Sequence, residues 1–386
     1  MTEQRDVIAA TTPLRVSVVG PPLSASGGIG RVMSYALSAL DEYDVAVRVL
    51  DTRGLRSSPW SSILHLVRAC GVLLWLAVRH RVDVVHINVS SHGSTLRKGV
   101  LVRVCRLAGL PVVLHLHASS FPGFYDSLPG WAQRWVRNTF GSATRVVVLA
   151  RFWRTYVEDS LGVPPERVSV LPNAAPAAAA HGRVGGSSRP THLVFLGRLG
   201  PRKGVPELLD ALADPRVRKR EWRATLAGDG DVSHYRARAA ELGLEGRITF
   251  PGWVDTAAVG ELLADSHVLV LPSHAEGSPI SVLEAFAAGI PVVCTPVGGL
   301  AEVVIDQENG LLVPPGAVRE LADALLRMLD DEGLRARLAA GASDAWKRNH
   351  TIEGYAGRLM LEWQQAARRT PPPAQKADRL LTREGS

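Results

Sequence analysis

The segment LPSHAEGSPISVLEAFAAGIPVVCTPVGGLAE, residues 271–302, decides the fold. It begins at the end of one apolar run, residues 267–271, and contains a second, residues 291–295, with a polar loop and a helical pattern between them. Short apolar runs that alternate with a helix are typical of buried parallel strands. The segment therefore predicts a strand, loop, helix and strand of a doubly wound α/β sheet.

The polar loop of this unit is a candidate ligand site. Ser278 or a neighbour could cap the helix and Pro279 suits its first turn, so free backbone N–H groups would face the loop and attract an anion such as phosphate. Glu276 lies in the loop and Glu284 lies eight residues later, in the helix. Two carboxylates would repel a bare phosphate, so they are better suited to accept hydrogen bonds from the hydroxyls of a sugar and a ribose.

Glu276 and Glu284 form an E-x7-E motif, which is followed by GIPVV at residues 289–293 and by GG-x-x-E at residues 298–302. With further similar segments over residues 14–345, the chain resembles the retaining family 4 glycosyltransferases of GT-B fold, and most of all those of bacterial capsule and exopolysaccharide synthesis. The resemblance implies two Rossmann-like domains facing a cleft. It also implies a hexosyltransferase-type enzyme (EC 2.4) that moves a sugar from a nucleotide-sugar donor to a glycan or lipid-linked acceptor.

Length and composition fit this reading. A chain of 386 residues exceeds the usual single core, which favours two domains, and 46% hydrophobic with 21% charged residues is ordinary for a soluble protein. Cys70, Cys105 and Cys294 have apolar neighbours and match no zinc spacing, so buried reduced thiols are expected. The N-terminus lacks the pattern of a signal peptide. We expect a cytoplasmic protein, peripheral on the inner face of the plasma membrane if its basic surface binds lipid.

The predicted organisation has four parts. Residues 1–180 form an N-terminal acceptor-binding domain and residues 181–350 a nucleotide-sugar-binding domain, with an Ala/Gly/Ser-rich linker at residues 174–189. The resemblance implies that a helix at residues 351–369 packs back on the first domain. Residues 370–386 have the composition of a disordered tail.

The net charge of +7 is unevenly placed. Residues 1–180 hold 19 Lys and Arg against 11 Asp and Glu, whereas residues 181–386 hold 25 against 26. The basic half could attract anionic lipid headgroups or a phosphorylated acceptor, or it could be a solvated surface. Nucleic acid is disfavoured because the basic residues are scattered. The apolar run at residues 63–78 contains His65 and Arg68 and is short for a bilayer, so a core helix is favoured over an interfacial one.

In the first half, a glycine loop and a strand end are candidate sites. Gly27 and Gly28 follow a predicted strand, but Met33 breaks the G-x-G-x-x-G fingerprint, which disfavours a dinucleotide and an oxidoreductase. A plain strand-to-helix turn is the alternative. His117 ends another strand, where α/β proteins gather ligands, and His115 points the same way by the period of two. The resemblance implies that the loop abuts the donor phosphate or the acceptor, that His117 contacts the transferred sugar, and that His115 is the second candidate, on the acceptor side.

In the second half, Arg198 and Lys203 lie between a strand and a helix, where two cations could bracket a diphosphate, a role that the resemblance also implies. Trp253 could stack on the base or pack in the core. Asp229 and Asp231 look like a metal-binding D-x-D pair, but the resemblance implies a Gly-x-Gly turn at this place, which disfavours a metal site. We expect no metal and no cofactor.

These residues combine into one predicted mechanism. Arg198, Lys203 and the helix N-terminus at Gly277, Ser278, Pro279 and Ile280 would bind the donor's phosphates and stabilise the charge that develops as the anomeric bond breaks. Glu284 would hold the ribose, Glu276 the sugar hydroxyls, and His117 would orient the sugar for attack by the acceptor on the same face. The alternatives are a sugar-nucleotide epimerase of the same architecture and a non-catalytic nucleotide-sugar-binding protein.

Overall fold

The computed structural model describes residues 13–21, 28–52, 59–117, 120–178 and 190–368, without the side chains of residues 59 and 60. Gly27, the predicted tail and most of the predicted linker lie outside the described residues.

Two parallel sheets of six strands each form the framework. The first has the order β2-β1-β3-β4-β5-β6 and the second the order β12-β11-β10-β7-β8-β9. The register in the second sheet places Leu271 beside Cys294, so the strands predicted at the two ends of the E-x7-E segment are direct neighbours. The strands are β1 Leu14–Gly20, β2 Val45–Asp51, β3 Val84–Val89, β4 Val112–Leu116, β5 Arg145–Val148, β6 Val168–Val170, β7 Thr191–Leu196, β8 Trp222–Ala227, β9 Ile248–Gly252, β10 Val268–Leu271, β11 Val292–Cys294 and β12 Gly310–Leu312.

Helices connect the strands and cover both sheets. They are α1 Gly28–Ala39, α2 Pro59–Val78, α3 Gly93–Leu107, α4 Phe121–Asp126, α5 Gly130–Gly141, α6 Arg151–Leu161, α7 Val205–Leu212, α8 Pro215–Arg218, α9 Val232–Glu241, α10 Thr256–Ala264, α11 Ile280–Ala287, α12 Leu300–Val303, α13 Val318–Asp330, α14 Glu332–Asn349 and α15 Ile352–Arg368. Strands β3, β4 and β5 are buried at every position, as expected of a sheet covered on both faces.

The last helix crosses to the first sheet. Tyr355, Leu359 and Trp363 of α15 are fully buried in one cluster with Val16 of β1 and Met33 of α1. The large apolar side chains of α15 thus complete the core of the first domain, and the chain passes between the two sheets twice.

The predicted linker begins with packed residues. Ala174 and Ala175 are fully buried, and the backbone of Ala175 donates to His350 and accepts from the Trp346 indole, at 3.0 and 2.9 Å. The low-complexity composition of residues 174–189 predicted a linker here. The small side chains instead allow close packing against the α14–α15 corner.

Helix α2 differs from the core helix favoured by its sequence. Ala69, Leu73 and Leu76 are buried, but Leu64 and Val78 are 68% and 77% exposed. Among the described residues, the segment Ser61–Val78 is the helical one that is long and apolar enough to cross a membrane. The prediction of a core helix was wrong for most of its surface, because the apolar side chains surround the helix and only one side faces the sheet.

Candidate functional site

A cleft of about 350 Å³ lies between the two domains, at the carboxyl ends of their strands. The structure brings most of the predicted site residues together around it. Those that line the cleft are Gly28, His117, Arg198, Lys203, Trp253, Glu276, Gly277, Ser278, Pro279 and Ile280.

Glu276 is held by two partners on the second domain. Its Oε1 lies 2.5 Å from Lys203 Nζ and accepts a hydrogen bond of 2.6 Å from Ser273 Oγ. The side chain of Glu276 is 5% exposed and that of Lys203 is 13% exposed. The pair is therefore nearly shielded from solvent, and its charges are oriented before any ligand enters the cleft.

Two glycines allow this pair to form. Gly204, with φ of 70°, follows Lys203, and a Cβ there would lie 1.9 Å from the Pro272 carbonyl oxygen. Gly298, with φ of 53°, packs against the loop, and a Cβ at this position would lie 1.9 Å from the Glu276 carbonyl oxygen. Only glycine fits such contacts, and both positions tolerate the left-handed backbone for the same reason.

The N-terminus of α11 opens towards the cleft without a side-chain cap. We predicted that Ser278 or a neighbour caps the helix; the N-cap residue is the neighbour Pro279, which has no side-chain acceptor, so the expected side-chain cap is not formed. Ser278 Oγ is buried and has no hydrogen-bond partner, while the Ser278 carbonyl accepts from Asn173 Nδ2 at 2.7 Å. An uncapped helix start and an unsatisfied hydroxyl beside it are suited to bind an anionic ligand.

Glu284 does not line the cleft in this structure. Its carboxylate, 6% exposed, accepts from Tyr35 Oη at 2.7 Å and pairs with Arg31 Nη1 at 3.3 Å. It borders an adjoining cavity of about 380 Å³, and Val259 lines both cavities. Burial raises the pKa of Glu284, and the contacts with Arg31 and Tyr35 oppose that rise. A ribose that reached this carboxylate would meet two competing partners from α1.

A chain of buried polar groups leads from the C-terminal helix to His117. The Trp363 indole donates to His86 Nδ1 at 3.1 Å, and Asn88 Oδ1 lies 3.3 Å from His86 Nε2 and 2.8 Å from His117 Nε2. Burial lowers the pKa of both histidines, to about 4 for His86 and about 3 for His117, so both are neutral at neutral pH.

The indole donor fixes the protons along this chain. Because an indole N–H only donates, His86 Nδ1 must accept, and the His86 proton lies on Nε2. Asn88 Oδ1 then accepts from both histidines, which leaves Nδ1 of His117 unprotonated. His117 lines the cleft, so this arrangement can accept a hydrogen bond from a hydroxyl of a bound sugar.

His115 does not reach the cleft. It is fully buried, neither of its ring nitrogens has a partner, and its ring centroid lies 4.0 Å from that of His117. The prediction that it binds the acceptor is corrected: the period of two places it on the same face as His117, but one layer deeper, beneath that ring.

The two acids of the D-x-D pair, Asp229 and Asp231, have different partners. Arg198 is 70% exposed at the side chain and lies 3.5 Å from Asp229, whereas Asp231 accepts from the backbone of His234 and caps α9. Trp253 is 52% exposed at the cleft wall, which leaves its ring accessible. The described residues contain no group of three or more His, Cys, Asp and Glu that could hold a metal ion.

Sequence reasoning missed several groups around the site. Arg31 and Tyr35 are four residues apart on α1, a spacing that puts them on one helix face, but nothing local connects them with a residue about 250 positions later. Asn173 and Arg202 also line the cleft, and Arg202 Nη1 donates to the Ala275 carbonyl at 2.9 Å. Arg202 is one residue from Lys203, so the basic cluster was a signal for it.

Two doubly wound domains around such a cleft have the GT-B architecture. Family models match both halves of the chain: residues 10–174 match the glycosyl transferase 4-like domain, and residues 181–344 match the glycosyl transferases group 1. The chain therefore belongs to the family 4-type glycosyltransferases, enzymes of class EC 2.4. The predictions of the family, the α/β GT-B fold and the enzyme class are confirmed.

Relatives of the chain are named for different sugars and acceptors. The chain is 28% identical to alpha-D-kanosaminyltransferase of Streptomyces kanamyceticus, over 75% of this chain and 81% of that protein. It is 34% identical to phosphatidyl-myo-inositol mannosyltransferase of Mycobacterium leprae, over 63% of this chain and 64% of that protein. The match to D-inositol 3-phosphate glycosyltransferase of Acidothermus cellulolyticus, at 32% identity, spans 58% of this chain and 52% of that protein.

Solved structures share the architecture. Sucrose-phosphate synthase from Thermosynechococcus elongatus superposes with a TM-score of 0.76 at 19% identity, over 91% of this chain and 98% of that chain. Anabaena HepE in complex with UDP and glucose superposes with a TM-score of 0.72 at 19% identity, over 91% of this chain and 99% of that chain. At such identity the likeness shows the fold alone.

Proposed function

We propose that the protein is a retaining glycosyltransferase that moves a sugar from a nucleotide-sugar donor to a glycan or lipid-linked acceptor, without a metal ion or cofactor. The observation that carries the proposal is the buried Lys203–Glu276 pair, next to the uncapped start of α11. The Glu276 carboxylate can accept hydrogen bonds from sugar hydroxyls, and Lys203 with the free backbone N–H groups of α11 can bind phosphates. The site can therefore bind both ends of a nucleotide-sugar.

The donor is proposed from the charges that face the cleft. Arg198, Arg202 and Lys203 all line it, and the unsatisfied Ser278 hydroxyl adds a further donor. Three cations and a helix N-terminus can stabilise the negative charge of a nucleoside diphosphate, a role that a divalent metal ion has in other enzymes. The structures of Anabaena HepE contain UDP with glucose and UDP-glucose, which supports a nucleotide-sugar here.

The proposed reaction is a substitution at the anomeric carbon. The bond from this carbon to the phosphate oxygen breaks, the acceptor hydroxyl forms its bond on the same face, and its proton passes to the departing phosphate. Lys203 and the start of α11 stabilise the new negative charge where it develops. Glu276 orients the sugar through its hydroxyls, His117 accepts from another hydroxyl, and Glu284 binds the ribose once α1 releases it.

The acceptor and setting are proposed from the charge of the first half and from the names of two relatives. Residues 1–180 carry the basic excess, and two relatives are named for inositol-containing acceptors, one of them a phospholipid. A phosphorylated or lipid-linked acceptor in cell-surface polysaccharide or glycolipid synthesis fits both facts. We place the reaction in the cytoplasm, at the inner face of the plasma membrane.

The test is a panel of UDP-, GDP-, ADP- and dTDP-sugars incubated with the purified protein in EDTA, with and without a membrane lipid extract. Released nucleoside diphosphate that rises with the extract, from one donor, is expected. The anomeric configuration of the product, read by NMR, must equal that of the donor. Conversion of the donor alone into another sugar nucleotide would indicate an epimerase, and binding without turnover on any acceptor would contradict the proposal.

A further inference from the structure

One side of α2 carries large apolar side chains that the fold leaves uncovered. Its exposed positions repeat every three or four residues and form one stripe, here called the α2 stripe: Ile63, Leu64, Val67, Arg68, Gly71, Leu74, Trp75 and Val78. A surface helix of a globular protein normally turns charged residues to solvent. The α2 stripe contains a single charged residue, Arg68, so its exposure to water is unfavourable and indicates an interaction surface.

The opposite side of α2 belongs to the first domain. Ala69, Leu73 and Leu76 are buried in the core cluster of that domain, and α2 packs along α3. A helix of 20 residues is about 30 Å long. Because its inner side is part of the core, α2 can lie along an apolar surface but cannot cross one without unfolding the domain.

The surroundings of the α2 stripe are basic. Residues 61–82, which contain the stripe and the turn after it, hold three Arg and no acid, and the next acid, Asp83, pairs with Arg15 at 2.6 Å. Arg79 and Arg81 lie at the end of the helix with their guanidinium carbons 6.0 and 5.8 Å from the centroid of the Trp75 ring. Within the part of the chain that the structure describes, neither they nor Arg68 forms an ion pair.

We infer that the α2 stripe docks on a bilayer surface that contains anionic phospholipids. Its apolar side chains would enter the region below the headgroups, Trp75 would lie at headgroup depth, and Arg68, Arg79 and Arg81 would face the phosphates. A second copy of the chain suits the stripe less well. A two-fold dimer through the stripe would bury Arg68 of both copies in an interface whose stripe residues include no acid to pair them.

The position of α2 suits an acceptor held in the same membrane. Helix α2 follows β2, and the carboxyl ends of the parallel strands lie at the cleft, so the stripe begins on the cleft side of the domain. Docking itself is independent of the proposed transfer reaction. Only the delivery of a lipid-linked acceptor to the cleft rests on the proposed function.

Vesicle sedimentation with the full chain tests the inference. Wild type is expected to bind vesicles of phosphatidylglycerol and phosphatidylcholine, and to bind phosphatidylcholine alone much more weakly. Leu64→Glu/Val67→Glu should lower binding at least tenfold, and Arg79→Gln and Arg81→Gln should each lower it about fivefold. Leu361→Glu on α15 is the matched control, because Leu361 is 54% exposed on another helix, and it should bind as wild type.

Four results would overturn the inference. Two concern binding: wild type does not bind anionic vesicles, or the Leu361→Glu control loses as much vesicle binding as Leu64→Glu/Val67→Glu. The third is that the protein stays on the vesicles after an alkaline carbonate wash. The fourth is that the protein forms a dimer which Leu64→Glu/Val67→Glu dissociates while vesicle binding persists. Nucleoside diphosphate release, measured without lipid on the same samples, separates failure of docking from failure of the transferase.

Discussion

Replacing Lys203 by methionine separates the structural role of the cleft pair from its chemical role. The change keeps most of the side-chain volume but leaves the Glu276 carboxylate, 5% exposed, with the Ser273 hydroxyl as its hydrogen-bond partner. Breaking a fully buried ion pair in this way costs about 3–5 kcal/mol. Because the pair lines an open cleft and keeps a small exposed fraction, we expect a smaller loss, about 2 kcal/mol, in the free energy of unfolding.

Turnover should fall further than stability alone explains. Lys203 is proposed to stabilise the departing diphosphate, and removing one such group lowers turnover by roughly 10² to 10³. The double variant Lys203→Met/Glu276→Gln removes both charges, so its stability should return to within about 1 kcal/mol of wild type. Its turnover should stay low, because neither the cation nor the carboxylate is restored.

Urea unfolding followed by tryptophan fluorescence, and nucleoside diphosphate release from the donor identified in the panel, measure the two effects. Arg198→Gln is the matched control for stability, since Arg198 is 70% exposed and borders the same cleft. The reasoning would be refuted if Lys203→Met unfolded at the same urea concentration as wild type, or if the double variant regained turnover.

Three further predictions concern groups around the site. Glu284→Ala should weaken nucleotide binding about tenfold or more in a calorimetric titration, because a charged acceptor of the ribose is lost, whereas Tyr35→Phe should not weaken it. Trp363→Phe removes the donor that fixes the protons of the histidine chain, so kcat should fall about fivefold while nucleotide affinity is unchanged. The control is Tyr355→Phe on the same helix, which should leave kcat unchanged because the Tyr355 hydroxyl has no partner. Burial, more than the neighbouring Arg97, lowers the pKa of Lys98 to about 7 from its ordinary value of 10.5. Between pH 7 and 10.5 the unfolded chain binds one more proton at Lys98 than the folded chain, so the free energy of unfolding rises with pH. Lys98→Met should flatten that rise in urea unfolding. An unchanged dependence of the unfolding free energy on pH would contradict the prediction.

Much of the second domain could be predicted from sequence because its signals are local. The strands on each side of the E-x7-E segment, the Lys203 loop and the start of α11 follow from short apolar runs, glycines and proline. Glu276, Lys203 and His117 were predicted to meet in one cleft, and they all line it. Strand ends of parallel sheets gather at one edge, so such residues converge whatever their separation in sequence.

The rest of the site depends on contacts that no local pattern encodes. Arg31 and Tyr35 meet Glu284 only because the two domains face each other, and Trp363 meets His86 only because α15 returns to the first domain. The exposed side of α2 was missed for a different reason. When apolar residues surround a helix, their period does not tell which side faces the core.

The most direct test of the account is Glu276→Gln, measured for turnover and for nucleotide binding on the same preparation. The variant keeps the shape of the side chain and removes its charge, and it leaves Lys203 free to meet the donor's phosphates. The account predicts that sugar transfer falls at least a hundredfold, in line with the loss of one preorganised group. Affinity for the nucleoside diphosphate should be equal or higher. Full transfer activity in this variant would contradict the central claim that Glu276 orients the sugar in the cleft.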